Sequence, residues 1–500
     1  MKPHRRERFS DQTCLFVNRR CLILLAGLLA GCARFEPQPL PPADTATRLE
    51  ARRLDDDALK RFLHAHLGRD LESWPLPSWD LDMLTLAAFF FNPSLDVARA
   101  QLAVARAGEI SAGGRPNPTL NLGPGYDASA GHGLSPWIPF VSVDLPVETA
   151  GKRRHRLAQA GHLSEAARLN LATAAWRVRS RVRAGLLDHD AAERREKLLE
   201  AQRVAQEQIV ERLEQRLAAG AISQAELAPA RIALNKTRLD LGDAEARRSQ
   251  ARARLAEAIG VGPEALASAR LSFSWSAPGT DALTSALARR AALLGRSDVL
   301  GALADYAASQ AALQLQVARQ YPDVHLGPGY QFDQGDNKWT LGVSIELPVL
   351  NQNRGPIAEA RARRDEAAAR FVELQAKVLA EIDGAVAAHR AAQRQLATVD
   401  SLVADARQRQ ESVAAQVRAG AADPLDLLTA QFELDLAALA EVDGQTQLQQ
   451  ALGGLEDALQ RPVASIAFVE STASLIHVTQ DAPERSDRPA VQAPAGRARP

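Results

Sequence analysis

The sequence predicts a mainly α-helical protein with membrane β-structure, built from a duplicated unit of one strand pair followed by a long helical hairpin. The duplication is visible in three markers that recur in the same order. Leu122-Gly123-Pro124-Gly125-Tyr126 returns as Leu326-Gly327-Pro328-Gly329-Tyr330, and Val141-Ser142-Val143-Asp144-Leu145-Pro146-Val147 returns as Val343-Ser344-Ile345-Glu346-Leu347-Pro348-Val349. Ala219-Gly220-Ala221 returns as Ala419-Gly420-Ala421, and each displacement is about 200 residues. Units of that size are far longer than ordinary solenoid repeats. The second observation is alternation: Trp339, Leu341, Val343, Ile345 and Leu347 are separated by Thr340, Gly342, Ser344 and Glu346, the period of a strand with one apolar and one polar face. The third is the absence of proline between Pro146 and Pro229 and between Pro356 and Pro424, intervals dense in strong helix formers.

The N-terminus carries Lys2, Arg5, Arg6, Arg8, Arg19 and Arg20, then an apolar run from Cys21 to Ala30. That run is too short to cross a bilayer and has the length of a signal-peptide core. It ends in Leu29-Ala30-Gly31-Cys32, which resembles the bacterial lipoprotein box. Residues 1–31 then read as a lipoprotein signal peptide and Cys32 as the lipidation site, the alternative being an ordinary secretory signal cut nearby. Cys14 and Cys21 fall inside the signal, so the mature chain has no intrachain disulfide. Ala33 follows the Cys, which by analogy with lipoprotein sorting favours the outer membrane of a Gram-negative bacterium.

Residues 32–79 form a Pro-rich leader, expected to wrap the outside of a body, with a helical stretch around 47–67. The first repeat spans 80–260. It opens with a helix from Leu81 to about Ala112, kinked at Asn92-Pro93 and ended by Gly113-Gly114 and Pro116. Strands follow at about 118–128 and 137–146, with turn formers between them. A helix from about Lys152 to Ala218 would be some 100 Å long at about 1.5 Å per residue. Leu171, Ala175, Val178, Val182 and Leu186 mark its narrow apolar stripe, suited to close packing on other helices along its length. Gly220 stops it, and Ser223-Gln224-Ala225-Glu226 fits a capping box for a return helix to about 259. Residues 261–280 link to the second repeat, 281–465, whose strand pair falls within 322–348. Gly420 stops its long helix, and Asp423-Pro424-Leu425-Asp426 caps the return helix with an N-cap Asp and an N1 Pro. The tail 466–500 is rich in Pro, Ala, Arg and Asp and is expected to be disordered.

Four strands cannot close a membrane barrel, and an open strand edge is prohibitively costly in lipid. Three copies would supply twelve strands and twelve long helix segments, closing both a β-barrel and a helical tube around one axis. The 60 Lys and Arg balance 60 Asp and Glu, which gives no electrostatic footprint for nucleic acid. The ten His are scattered without zinc-like spacing, and no catalytic triad, phosphate loop or HExxH motif stands out, so the chain is read as no enzyme, without cofactor or resident metal.

In this order of elements the chain resembles the outer-membrane factors of the TolC family over roughly 80–465. Asn92-Pro93-Ser94-Leu95 resembles the family's Asn-Pro-x-Leu opening of repeat one, and Arg296-Ser297-Asp298-Val299 its Arg-Pro-Asp-Leu counterpart without the Pro. The family's tip motif, near Arg-Tyr-x-x-Gly-x-x-Ser, is matched by Arg216-Leu217-Ala218-Ala219-Gly220-Ala221-Ile222-Ser223, and less closely by Gln416 to Asp423. The resemblance implies a homotrimer: a twelve-strand outer-membrane β-barrel continued by an α-helical barrel across the periplasm. It implies docking of a periplasmic adaptor, and through it an inner-membrane RND-type pump, at tips containing Arg216, Gly220, Ser223, Gly420 and Asp423. It also places Asp426 and Thr429 near the periplasmic entrance, where Asp426 is either one of a ring of carboxylates or simply a helix cap. Glu148-Thr149-Ala150-Gly151-Lys152-Arg153-Arg154 resembles a segment of the CzcC-like heavy-metal branch. Efflux of heavy-metal cations leads; efflux of drugs or small molecules, type I secretion, and a structural envelope-spanning coiled-coil lipoprotein remain as alternatives.

Overall fold

The computed structural model describes residues 35–68, 71, 73–131, 133–276 and 283–462. Cys32 and the 466–500 tail, with the lipidation and disorder expected of them, lie outside the described residues. Residues up to Glu50 form a unit of their own, in which α1 (Pro42–Glu50) has no buried residue. Everything below concerns the larger unit from Ala51.

In α2 (Asp57–Leu67) the Asp56 carboxylate accepts from the Ala58 amide at 2.7 Å, and Gly68 ends the helix in the left-handed region. Leu59 and Leu63, one turn apart, are fully buried. The leader therefore does more than wrap: with Leu54 and Trp79 it supplies part of the main core. The centre of that core is α3 (Leu81–Phe91), apolar almost all round, with Leu84, Ala87, Ala88 and Phe89 fully buried. Asn92 ends α3 and caps α4 (Pro93–Gly113), accepting from the Ser94 amide at 3.0 Å, which accounts for the predicted kink.

The strands are β1 (Thr119–Tyr126) and β2 (Trp137–Val147), then β3 (Val324–Asp333) and β4 (Asp336–Ile345). They form one antiparallel sheet in sequence order, with β2 pairing β3 across the repeats. The second hairpin is tight. Only Gln334 and Gly335 form its loop, both at positive φ, while Asp333 and Asp336 are already paired in the ladder. A two-residue turn with both φ positive matches the strand twist and pulls the flanking polar residues into the strands.

The helical hairpins are α5 (Lys152–Ala218) with α6 (Gln224–Ile259), and α9 (Arg354–Arg418) with α10 (Pro424–Leu459); α7 (Ala286–Gly295) and α8 (Ser297–Ala318) repeat α3 and α4. Leu171, Ala175, Val178, Val182 and Leu186 are all buried, as the stripe predicted. The linker is not a bare connection: Val261 and Leu266 are buried in the main core, and Trp79 donates its amide to the Arg270 carbonyl at 2.8 Å. No described helix is long and apolar enough to cross a membrane.

Both repeats tie the end of the return helix to the junction of the two short helices, with different residues. In repeat one the Asn92 side-chain Nδ2 donates to the Ala258 carbonyl at 2.7 Å, and Arg52 of the leader donates to the Phe91 and Gly260 carbonyls at 2.6 and 2.8 Å. In repeat two Arg296 donates to the Ala458 carbonyl at 2.8 Å and to Glu381 at 2.9 Å. The residue ending the return helix is left-handed in each, Gly260 at φ 92° and Gln460 at φ 47°. A Cβ on Gly260 would stand 2.8 Å from the Phe91 carbonyl oxygen. Gly260→Ala is therefore expected to cost at least about 1–3 kcal/mol through left-handed strain, before the clash. A thermal melt within a degree of the parent would contradict it.

Candidate functional site

The register of the sheet separates its two faces. Leu120, Leu122, Pro124 and Tyr126 lie opposite Val143, Val141, Pro139 and Trp137. Across β2 and β3, Val141, Leu145 and Val147 lie opposite Tyr330, Leu326 and Val324. On β4 the same face continues through Ile345, Val343, Leu341 and Trp339. Every residue named here is apolar or aromatic, and the face turns polar only beside the loop, where Asn337 stands opposite Phe332 and accepts from the Tyr330 hydroxyl. The face is open: Leu122 is 70 % exposed, Leu341 73 % and Trp339 80 %. Its loop end carries two matching cross-strand aromatic pairs, Tyr126–Trp137 and Tyr330–Trp339, with ring centroids 5.1 and 4.9 Å apart. The other face holds Asn121, Gly123, Ser142, Asp144, His325, Gly327, Gly329, Gln331, Lys338, Thr340 and Ser344, with Phe140 lying over Gly123. A contiguous exposed apolar face of this extent marks contact with lipid or protein. Among the described residues, β1 and β4 each keep one edge without a partner strand.

Where strands pass to helices, the Glu148–Arg154 segment makes a clamp. Ala150 and Gly151 take positive φ, turning the chain from β2 into α5. Lys152 donates to Asp323, just before β3, at 2.7 Å, and the Thr149 amide donates to the same carboxylate at 2.9 Å. Burial works against the Asp323 charge, but these two partners prevail and hold its carboxyl below the usual range. Arg153 donates to the Gly113 carbonyl at 2.7 Å and Arg156 to Gly114 at 3.0 Å, satisfying carbonyls where α4 ends. Lys152 and Arg153 of this motif, with Arg156 just beyond it, thus fasten the junction of α4, α5 and β3.

At the opposite end of the hairpins are the two tips. Each long helix closes with a Schellman turn: Ala221 donates to the Arg216 carbonyl at 2.9 Å and Ala421 to the Gln416 carbonyl at 2.8 Å. Gly220 and Gly420 supply the left-handed residue, at φ 73° and 71°. The Ser223 amide donates to Glu226 and the Asp423 amide to Asp426, each at 3.0 Å, and Asp423 accepts from the Leu425 amide at 2.9 Å. Arg216 of the first tip forms an ion pair with Asp423 of the second, so two residues singled out separately act together. The Leu425 amide, then Arg216, hold the Asp423 carboxyl below the usual range. Its contribution to folding is thus present at neutral pH and is lost as pH falls through the lowered value. Asp426 is engaged as a cap, and the Thr429 hydroxyl donates back to the Leu425 carbonyl at 2.9 Å.

Between junction and tips, α5 and α10 run antiparallel, joined by ion pairs at three levels: Arg179–Glu456 at 2.9 Å, Arg195–Asp443 at 2.6 Å, and Arg216–Asp423. The first is buried, with Arg183 also reaching Glu456 at 3.4 Å. Beside it, burial pushes the Asp457 carboxyl up, against hydrogen bonds from Ser180 at 2.5 Å and Trp176 at 2.9 Å. Sequence reasoning missed this cluster, because its members lie more than 270 residues apart and nothing local distinguishes them. Among the described residues no group of three or more His, Cys, Asp or Glu could hold a metal ion.

Comparison with known proteins agrees with this geometry. The chain is 27 % identical over 231 residues to the cobalt-zinc-cadmium resistance protein CzcC of Cupriavidus metallidurans; the match covers 45 % of this chain and only about half, 54 %, of that relative. Among solved structures, the outer membrane protein VceC of Vibrio cholerae superposes with a TM-score of 0.63 at 22 % identity, over 77 % of this chain and 97 % of that one. The CmeC outer membrane channel of Campylobacter jejuni gives 0.65 at 15 % identity over 91 % and 100 %, and CusC gives 0.62 at 17 % over 86 % and 99 %. These likenesses establish the fold. The family model for outer membrane efflux proteins matches residues 91–261 and 288–460, both repeats almost entire, and the chain belongs to that family.

Proposed function

We propose that this protein is one third of an outer-membrane exit duct in a tripartite efflux system. The carrying observation is the four-stranded sheet with one face apolar up to Asn337 beside a loop and, among the described residues, two edges without a partner strand. Lipid satisfies the face, and only further copies of the same sheet satisfy the edges. Three copies close a twelve-strand barrel with the polar, glycine-rich face inward and the long helices continuing as a tube into the periplasm. Arg216, Gly220, Ser223, Gly420 and Asp423 form the end that meets a periplasmic adaptor, and through it an inner-membrane pump. Their geometry supports this role, because Schellman turns, caps and one ion pair hold the backbone of both tips in a defined shape. Asp426 and Thr429 stand beside that entrance. The cargo is proposed to be heavy-metal cations, on the likeness to a cobalt-zinc-cadmium resistance protein. Cys32 is proposed as a lipid anchor on the same membrane.

The full-length protein extracted in detergent is expected to have the mass of a trimer and to give stepwise single-channel currents in planar bilayers. A stable monomer without currents would overturn the duct. Deleting the gene should lower tolerance of zinc, cobalt or cadmium. Unchanged metal tolerance with lost tolerance of apolar drugs would reassign the cargo and leave the duct standing.

A further inference from the structure

The polar face of the sheet carries one His–carboxylate pair, near its helix-proximal end. His325 of β3 places Nδ1 3.0 and 3.1 Å from the two oxygens of Asp144 on β2. Asp144 stands opposite Thr119 of β1, while His325 stands opposite Pro146 of β2 and Ser344 of β4, so the pair reaches diagonally across β2 and β3, two residues out of register. Both side chains are open to the space above that face, 40 % and 38 % exposed. The nearby Asp323 is already taken by Lys152 and the Thr149 amide.

The arrangement has chemical content. A carboxylate on Nδ1 fixes the proton there, orients the ring, and leaves the Nε2 lone pair as the donor. That is the usual support of a metal-binding imidazole. Imidazole nitrogen suits borderline divalent cations such as zinc and cobalt, while magnesium prefers oxygen and holds its water.

We infer that His325, oriented by Asp144, is a transient binding point for borderline divalent metal cations on the inner wall at the base of the barrel. This rests on the trimeric-duct reading, which turns that face inward and repeats the pair three times around the axis. Each point offers one imidazole, and the neighbouring carboxylate is already committed to the ring. The ion therefore keeps most of its water. Weak holding is what a conduit requires, since a site must be favourable enough to enter and weak enough to leave.

The test uses the full-length protein in planar bilayers, with zinc chloride added to the bath and magnesium chloride as control. Zinc should reduce the single-channel current at concentrations where magnesium does not. His325→Gln should leave the metal-free conductance nearly unchanged and raise the half-blocking zinc concentration at least about tenfold, the scale on which losses at metal sites are felt. Asp144→Asn, which removes the orienting charge, should raise it by a smaller factor, while His155→Gln on α5 should not. Wild-type pores that ignore zinc, or His325→Gln pores blocked like wild type, would overturn the binding point and leave the duct intact. Absence of pores and of a trimer in the wild type would instead overturn both.

Discussion

Leu341→Arg is expected to abolish trimer assembly in the outer membrane, while Thr340→Arg, one residue away, assembles. Leu341 lies opposite Pro328 in the middle of the β3–β4 ladder, on the face where every neighbour is apolar, and it is 73 % exposed. A guanidinium there would sit in hydrocarbon, at a cost of about 2–4 kcal/mol near the bilayer midplane. The penalty is incurred once per copy, so a three-copy barrel would bear it three times over. Thr340 lies opposite Gly329 on the polar face, where an arginine reaches water. The amount of heat-resistant trimer in outer-membrane fractions measures the difference. Equal assembly of the two variants would mean that the apolar face does not meet lipid.

Glu456→Ala should be the most destabilising single change in the helical body. Its carboxylate receives Arg179 at 2.9 Å and Arg183 at 3.4 Å, and all three side chains are less than a tenth exposed. Removing it leaves two buried guanidiniums in mutual repulsion. Loss of one partner from a buried pair costs about 3–5 kcal/mol, far more than the intact pair contributes. The Trp176 and Phe273 rings beside Arg179 and Arg183 offset part of this at best. Asp443→Ala is the internal control. It removes the next ion pair along the same two helices, where Asp443 is 54 % exposed, and should cost about 0–1 kcal/mol. Thermal melts of the two variants that shift equally would show that burial does not set the weight of these pairs.

What the sequence revealed and what it hid divide along a physical line. Periodicity and caps are local, so Lys152–Ala218, the glycine stops at 220 and 420, and the kink at Asn92 could be read directly. Alternation showed that the second strand pair had an apolar face, but the continuity of that face over four strands needed the β2–β3 register. The tip residues Arg216 and Asp423 were legible one by one through their motifs, yet their ion pair joins different repeats. Asp144–His325, Arg179–Glu456 and the reach of Arg52 to Gly260 are all long-range, and none leaves a mark on its neighbours in sequence. The leader and linker were underestimated for the same reason. Leu59, Leu63 and Trp79 look ordinary until the helices they pack against are in place.

The unlike fastening of the two hairpin bases has a consequence for the symmetry of the whole. If the repeats were identical, three copies would make a six-fold ring whose wedges were interchangeable. Arg52 serves one base from outside its repeat, whereas Arg296 serves the other from within. Odd and even wedges therefore answer differently to the same disturbance. A strain that loosens the leader would take Arg52 from every second wedge, leaving those three held by Asn92 alone and the alternate three fully clamped, so any widening of such a ring would begin in threes.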